Sequence, residues 1–371
     1  MHPIRHRAAV AAAISVLAGQ AQAQSSELDT VVVTATRFAE ADPKIPANVS
    51  VLTRDDLRNI PATNLPELLK SVAGIESRPL YGPLGMDATV DMRGFGSTAT
   101  SNTLILVDGM RMNPADMGSI IWSAIPLSGI ERIEIMRGSG SVLYGDGATG
   151  GVINIVTNKS AKPRANIAAT VGSRHFQSLS GEFGTGGERG YFNLFASEAS
   201  TDGYRQNSQQ DQKVAKGRAG LWLGNGELFV DYAAYQESAG LPGNRLSAAY
   251  RNDPRGTATP YDTQERDGYK IRPGVSYRLG KDVTIEAEVG VDHQNLKSSY
   301  VKSSYFSDRT RDTVSFTPRV RWQHGLMGQQ SETVFGYDYY DSSVSSINRG
   351  SPTTRGLRKR ARPGISRTSR A

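Results

Sequence analysis

The sequence predicts two folded parts in succession: an α/β domain built on a mixed four-stranded sheet with short helices, then an incomplete antiparallel transmembrane β-barrel of about nine strands. Two observations carry this reading. Residues 45–158 intersperse short β-branched runs with glycine-rich turns and capped helix starts. From residue 164 to residue 344 apolar and polar residues alternate at period two, which sends successive side chains to opposite faces of a strand. A third observation narrows the class: past the first 23 residues no run of 18 apolar residues occurs, so no helix is expected to span a bilayer.

The expected layout is a leader over 1–23, a strand and linker over 24–44, the α/β domain over 45–158, barrel strands over 159–349 and a basic tail over 350–371. In the leader, His2, Arg5, His6 and Arg7 precede the apolar run from Ala8 to Ala18, and Ala21-Gln22-Ala23 follows. A charged start, an apolar stretch too short to cross and a small-x-small site make a secretory signal peptide. The mature chain is therefore expected to begin near Gln24, outside the cytoplasm.

Asp29, Thr30, Val31, Val32, Val33, Thr34 and Ala35 form a β-branched stretch followed by a polar linker broken at Pro43 and Pro46. Such residues favour extended backbone, and a loosely tethered strand is a template for another protein's sheet edge. On its residues alone the stretch also fits an ordinary edge strand of the next domain.

Within the α/β domain, strands are expected over 49–53, 88–92, 103–107, 130–136 and 152–157, with helices starting at Arg54 and Pro66, the second capped by Asn64. Gly145-Asp146-Gly147-Ala148-Thr149-Gly150 matches a dinucleotide fingerprint, but a strand follows it where a helix is needed. The five histidines (His2, His6, His175, His293, His324) are scattered. No catalytic, cofactor or metal constellation is visible, so an enzyme is not expected. The absence of cysteine excludes a disulfide framework.

The net charge of +7 does not signal a nucleic-acid partner. Seven of the 43 basic residues fall in 350–371, where there is no acid, and the remaining 36 match the 36 acids.

Several ordered motifs resemble those of TonB-dependent outer-membrane receptors. They are the stretch 29–35, Arg93-Gly94-Phe95, Leu106-Val107-Asp108-Gly109-Met110-Arg111, the run from Ile125 to Gly138, Ser141-Val142-Leu143-Tyr144-Gly145, and Gly150 to Val156. The resemblance implies that residues 45–158 are the family's plug and that Asp29–Ala35 is its TonB box, which pairs with TonB and so receives energy from the inner membrane. It implies that Arg93 and Arg137 form buried ion pairs with glutamates on late barrel strands, a release device more than a gain in stability. It also implies that plug loops near 78–85, 97–102 and 113–119 face outward, with Arg78, Tyr81, Arg111 and Asn113 as ligand contacts.

Barrel strands are expected near 165–172, 176–184, 190–199, 213–223, 227–237, 268–279, 283–296, 312–323 and 331–344, with connections alternating short and long. Val283, Ile285, Ala287, Val289 and Val291 would face lipid, and their polar neighbours the lumen. Period two alone also fits a soluble sandwich. Pro318 suggests a strand end or bulge. A plugged barrel has about 22 strands, so a full one needs about 260 further residues at the spacing seen here. The tail 350–371 lacks aromatic residues and alternation. It is expected to be disordered, out-of-frame or junctional, to form no lipid-facing strand, and to make the chain a truncated receptor.

The expected function is therefore outer-membrane uptake of a scarce chelate, a ferric siderophore first and cobalamin as the alternative, with TonB, the cargo and outer-membrane lipid as partners. A periplasmic plug-bearing fragment that only binds TonB is the alternative of another class.

Overall fold

The computed structural model describes residues 48–114, 116, 118–125, 127–159, 161–326, 329–350 and 364–366. The leader, the 29–35 stretch and most of the 350–371 tail lie outside the described residues.

The α/β domain starts with β1 (Asn48–Thr53), α1 (Arg54–Asn59) and α2 (Leu65–Lys70). Thr53 and Asp56 close a capping box at α1. Asn64 caps α2, its Oδ1 accepting from Glu67 N at 2.9 Å. Next come β2 (Ile75–Arg78), β3 (Thr89–Met92), β4 (Thr103–Val107), β5 (Met110–Arg111), β6 (Ile130–Arg137), α3 (Ser141–Tyr144) and β7 (Gly151–Thr157). The main sheet runs β1-β6-β7-β4-β5, parallel only between β4 and β7. Its four principal strands are those expected from sequence. The two-residue β5 makes it five-stranded, while β2 and β3 pair separately.

Alternation places one set of side chains on each face of this sheet. Ile105, Val107, Ile133, Ile135, Ile153 and Ile155 pack with Leu65, Leu68 and Leu69 of α2. Leu104, Leu106, Met136 and Val152 pack with Tyr144 and Ala148 on the other. Both faces are thus covered, which is why β4 reads as a continuous apolar run.

The second sheet is antiparallel: β8 (Arg164–Val171), β9 (Gln177–Gly186), β10 (Gly190–Thr201), β11 (Gln210–Trp222), β12 (Gly226–Gly240), β13 (Thr263–Leu279), β14 (Val283–Tyr300), β15 (Tyr305–Phe316), β16 (Arg319–Leu326), β17 (Gln329–Arg349) and β18 (Gly364–Ser366). A short helix, α4 (Ser247–Asn252), lies in the long connection between β12 and β13. Strands β8 to β14 pair with their neighbours in chain order.

One expectation changes here. The single strand expected over 312–323 is broken at Thr317-Pro318, and its halves β15 and β16 both pair with β14 and β17. Proline offers no ladder donor, but its carbonyl still accepts from Tyr337 N at 3.0 Å. Counted as one interrupted strand, β15 and β16 leave the nine long strands expected. The tail was expected to form no lipid-facing strand; three of its residues, Gly364–Ser366, pair with Gly336–Asp338 of β17. Gly364-Ile365-Ser366 is an uncharged stretch between Arg362 and Arg367, so it joins the ladder without bringing charge into it.

Connections alternate as expected at one end, with tight turns at 187–189, 223–225 and 280–282. At the other end, 202–209 and 241–262 are long, whereas β14 and β15 extend until Tyr300 faces Tyr305, leaving four residues between them.

The outward face carries exposed apolar side chains on successive strands: Ile167, Leu179, Phe192, Leu228, Val230, Ile271, Val289 and Val314. The inward face carries Gln210, Arg218, Glu237, Gln264, Arg266, Arg272 and Arg311, all buried. A sheet with apolar groups outside and charge buried inside inverts a soluble sandwich and fits a lipid-facing wall.

Candidate functional site

The buried charge is buried by the α/β domain, which packs on the inward face through three acids, Asp87, Asp108 and Asp116. Each sits in a turn rather than a strand, where short acidic side chains tolerate tight backbone. Asp87 and Asp108 have φ of 53° and 51°, the left-handed region that Asp visits more readily than most residues.

Near the long-loop end, the segment after β2 is bound by β11 and β13. Gln210 donates to Tyr81 O at 2.9 Å and accepts from Leu84 N at 3.0 Å. Gln264 donates to Asp87 Oδ2 at 2.8 Å. Arg266 pairs with Asp87 and donates to Glu237 Oε2 at 3.0 Å. Asp116 pairs with both Arg309 and Arg311 of β15.

Deeper, Asp108 at the β4–β5 turn accepts from Thr157 N (2.9 Å) and Oγ1 (2.6 Å) and lies 3.3 Å from Lys159 Nζ. Burial pushes its carboxyl up, but Lys159, Arg218 and Lys216 outweigh this and hold it well below the usual carboxylate range. Its carbonyl accepts from Arg272, which also pairs with Asp231 and Glu288. Arg218 joins the network through Asp231 at 2.6 Å and Glu227 at 3.1 Å. A cavity of about 460 Å³ opens between the β4–β5 hairpin and β13–β17.

Residues 42–152 match the model of the TonB-dependent Receptor Plug Domain. The chain carries the plug domain of TonB-dependent receptors. It is 32% identical over 298 residues to the vitamin B12 transporter BtuB of Vibrio cholerae serotype O1, an alignment covering 77% of this chain and 47% of that protein. The chain thus spans about half the length of this relative. Its fold is similar to that of the ferric citrate transporter FecA in the unliganded form (TM-score 0.70, 18% identity, 81% of this chain and 48% of that one). It is similar also to the ferripyoverdine receptor of Pseudomonas aeruginosa (TM-score 0.70, 12% identity, 94% and 51%).

In this plug-bearing chain the sites expected from sequence are dispersed. Arg78 is exposed and forks onto Glu76 with two bonds of 2.8 Å. Tyr81 is partly buried, and burial, then the nearby Tyr300, pushes its hydroxyl up to about 12. Arg111 pairs with Asp146 at 2.7 Å at the cavity wall. Asn113 also borders the cavity, but its side chain is committed to the plug: Oδ1 accepts from Ile105 N at 2.7 Å, and Nδ2 donates to Thr100 O (2.7 Å) and Thr103 O (2.8 Å). Three of its four hydrogen-bonding positions are thus taken by plug backbone, which leaves one lone pair of Oδ1 for any ligand contact.

Arg93 is exposed at φ 73° and has no ion pair among the described residues. Arg137 donates to Ser50 Oγ at 2.5 Å and Ala73 O at 3.1 Å, both neutral acceptors. The acids that do hold the plug were not singled out from sequence. The usable signal was Arg266, Lys270 and Arg272, which share parity along β13, opposite to Tyr269 and Ile271. Their partners lie up to 179 residues away.

Proposed function

We propose that this chain carries the plug and barrel strands of an outer-membrane receptor that takes up a scarce chelate with energy delivered by TonB. The observation that supports it best is the Asp87–Arg266–Glu237 contact. It ties a plug turn to the inner face of a sheet whose outer face is apolar. A plug held at turns by buried ion pairs is held at few points, and a buried pair contributes little net stability while fixing position. That is suited to a plug that must yield when pulled.

In this reading Asp29–Ala35 is the strand TonB grips. Arg78, Tyr81, Arg111 and Asn113 remain candidate cargo contacts, the first three offering charge and a stacking face. Arg93 and Arg137 are candidate partners for glutamates on further barrel strands. The exposed state of Arg93 and the neutral acceptors of Arg137 leave both guanidinium groups without a counter-ion here. The cargo expected first is a ferric siderophore. Cobalamin is favoured by a specific observation, the 32% identity to a vitamin B12 transporter. The siderophore-related structures, at 18% and 12% identity, support the fold only.

The test is accumulation of radiolabelled cyanocobalamin and of iron-55 siderophores by cells whose own receptors are deleted and which express this protein, with and without TonB. TonB-dependent accumulation of one cargo, abolished by Val32→Pro, is expected. Equal accumulation without TonB would sink the reading.

A further inference from the structure

Arg319 is the charged side chain in the plug–barrel cavity for which the described residues supply no partner. It opens β16 directly after Pro318 and faces inward, opposite Glu286 of β14 in the ladder. It is only 7% exposed, and its Nε has no hydrogen-bond partner. No carboxylate among the described residues lies within ion-pair distance. Its neighbour Glu286 instead accepts from Ser276 Oγ at 3.4 Å. The charge of Glu286 acts on Arg319 across the ladder, but beyond ion-pair distance, and a buried guanidinium N–H left without an acceptor is costly.

The surroundings show what the group is aimed at. Arg319 lines the cavity of about 460 Å³ between the β4–β5 hairpin and the barrel wall. Its Nη1 lies 3.6 Å from where a Cβ on Gly109 would stand, and Gly109 holds φ 79° at the tip of the hairpin turn. The other charges lining this space are already engaged. Arg111 pairs with Asp146, Lys270 with Asp292 at 2.8 Å, and Arg311 with Asp116 at 3.2 Å. Asp338 is not free either. Arg319 is thus the cation on the cavity wall that has no ion pair among the described residues.

We propose that this inner cavity is an oxyanion-binding site, with Arg319 as its anchor. The ligand chemistry is a carboxylate or phosphate group, which the planar guanidinium receives with two parallel bonds. The site lies below the outward plug loops, against the β4–β5 hairpin. An anion bound there bridges barrel Arg319 to the plug turn at Gly109, so occupancy and plug position are linked. The inference stands on the cavity and not on the cargo or on TonB.

The experiment uses the full chain in detergent micelles at low salt, titrated with inorganic phosphate and separately with citrate. Binding is followed calorimetrically and by the thermal unfolding midpoint. Either anion is expected to bind and raise the midpoint. Preference for phosphate identifies a free-anion site, and preference for citrate a site for carboxylate-bearing cargo. Arg319→Gln is expected to weaken binding at least about tenfold and to abolish the anion-dependent rise, with the anion-free midpoint unchanged or higher because the unpaired charge is gone. Arg319→Lys, which keeps the charge, is expected to retain binding within about threefold with a loss of phosphate-over-chloride selectivity. Undiminished binding by a folded Arg319→Gln protein overturns the proposal. So does failure of wild type to bind either anion above the level seen with chloride. Neither result bears on TonB-dependent uptake, which is measured in cells and needs no titration of this site.

Discussion

Asp87 of the plug pairs with Arg266 of the barrel across 179 residues of sequence, and their side chains are 9% and 3% exposed. Glu237 of β12 takes the other arm of the same guanidinium, so one side chain of β13 ties the plug turn to β12.

This shared guanidinium predicts non-additive mutations. Asp87→Asn leaves Arg266 still paired with Glu237, and the expected loss is about 2 kcal/mol, less than the roughly 3–5 kcal/mol of a buried pair stripped of its only counter-ion. Glu237→Gln should cost a similar amount. The double variant strands Arg266 and should cost more than the sum. Denaturant midpoints with hydrogen exchange over residues 84–92 measure this; strict additivity would show that the two acids act independently.

Asn113 is expected to behave as a plug brace. Asn113→Ala leaves one buried N–H and two carbonyls without their partner, at about 1–3 kcal/mol for each group that water cannot reach. Asn113→Asp turns an oxygen toward two carbonyls and should be worse. Proteolytic sensitivity of the 100–113 segment checks the order. A fully stable alanine variant with lost cargo affinity would support the contact role instead.

The outward face makes a depth-dependent prediction. Val230→Arg, on a strand paired on both sides, should destabilise folding into bilayers by about 2–4 kcal/mol, whereas Glu265→Arg near the long-loop end should cost about 0–1 kcal/mol. Folding into vesicles under denaturant measures both. Equal tolerance at the two positions would argue against a lipid-facing wall.

His175, in the turn between β8 and β9, lies 2.5 Å from Asp202. The hydrogen bond to Asp202, then its charge, raises the imidazole above its ordinary value of 6.5. A raised folded pKa means the link is fully present below 6.5 and is lost as pH rises through the folded value. The imidazole proton resonances should therefore titrate above 6.5 in the wild type and return toward it in Asp202→Asn. An identical titration in both proteins would remove the pairing.

Much of the fold was legible because it follows from local rules. The plug strands announce themselves as short β-branched runs between glycines. The helix start at Pro66 is set by Asn64, whose side chain accepts the bond that sequence alone anticipates. The barrel strands show as period two, and Pro318 marks the interruption between β15 and β16. The candidate site was less legible. Asn113 looked like a loop residue open to cargo, and only its three hydrogen bonds show that the plug backbone uses it. Arg319 reads in sequence as one more polar residue on an alternating strand.

By itself, then, the sequence determined the principal strands and which side of each is apolar. These depend on spacing and propensity over a few residues. Only the tertiary structure decided which charges meet. Asp87 finds Arg266, Asp108 receives Arg272 at its carbonyl, and Arg319 is left at a cavity wall with its Nε unbonded. The reason is physical. Alternation fixes the face a side chain takes, but ion pairing between two domains depends on the register of nine strands and on how the plug seats against them.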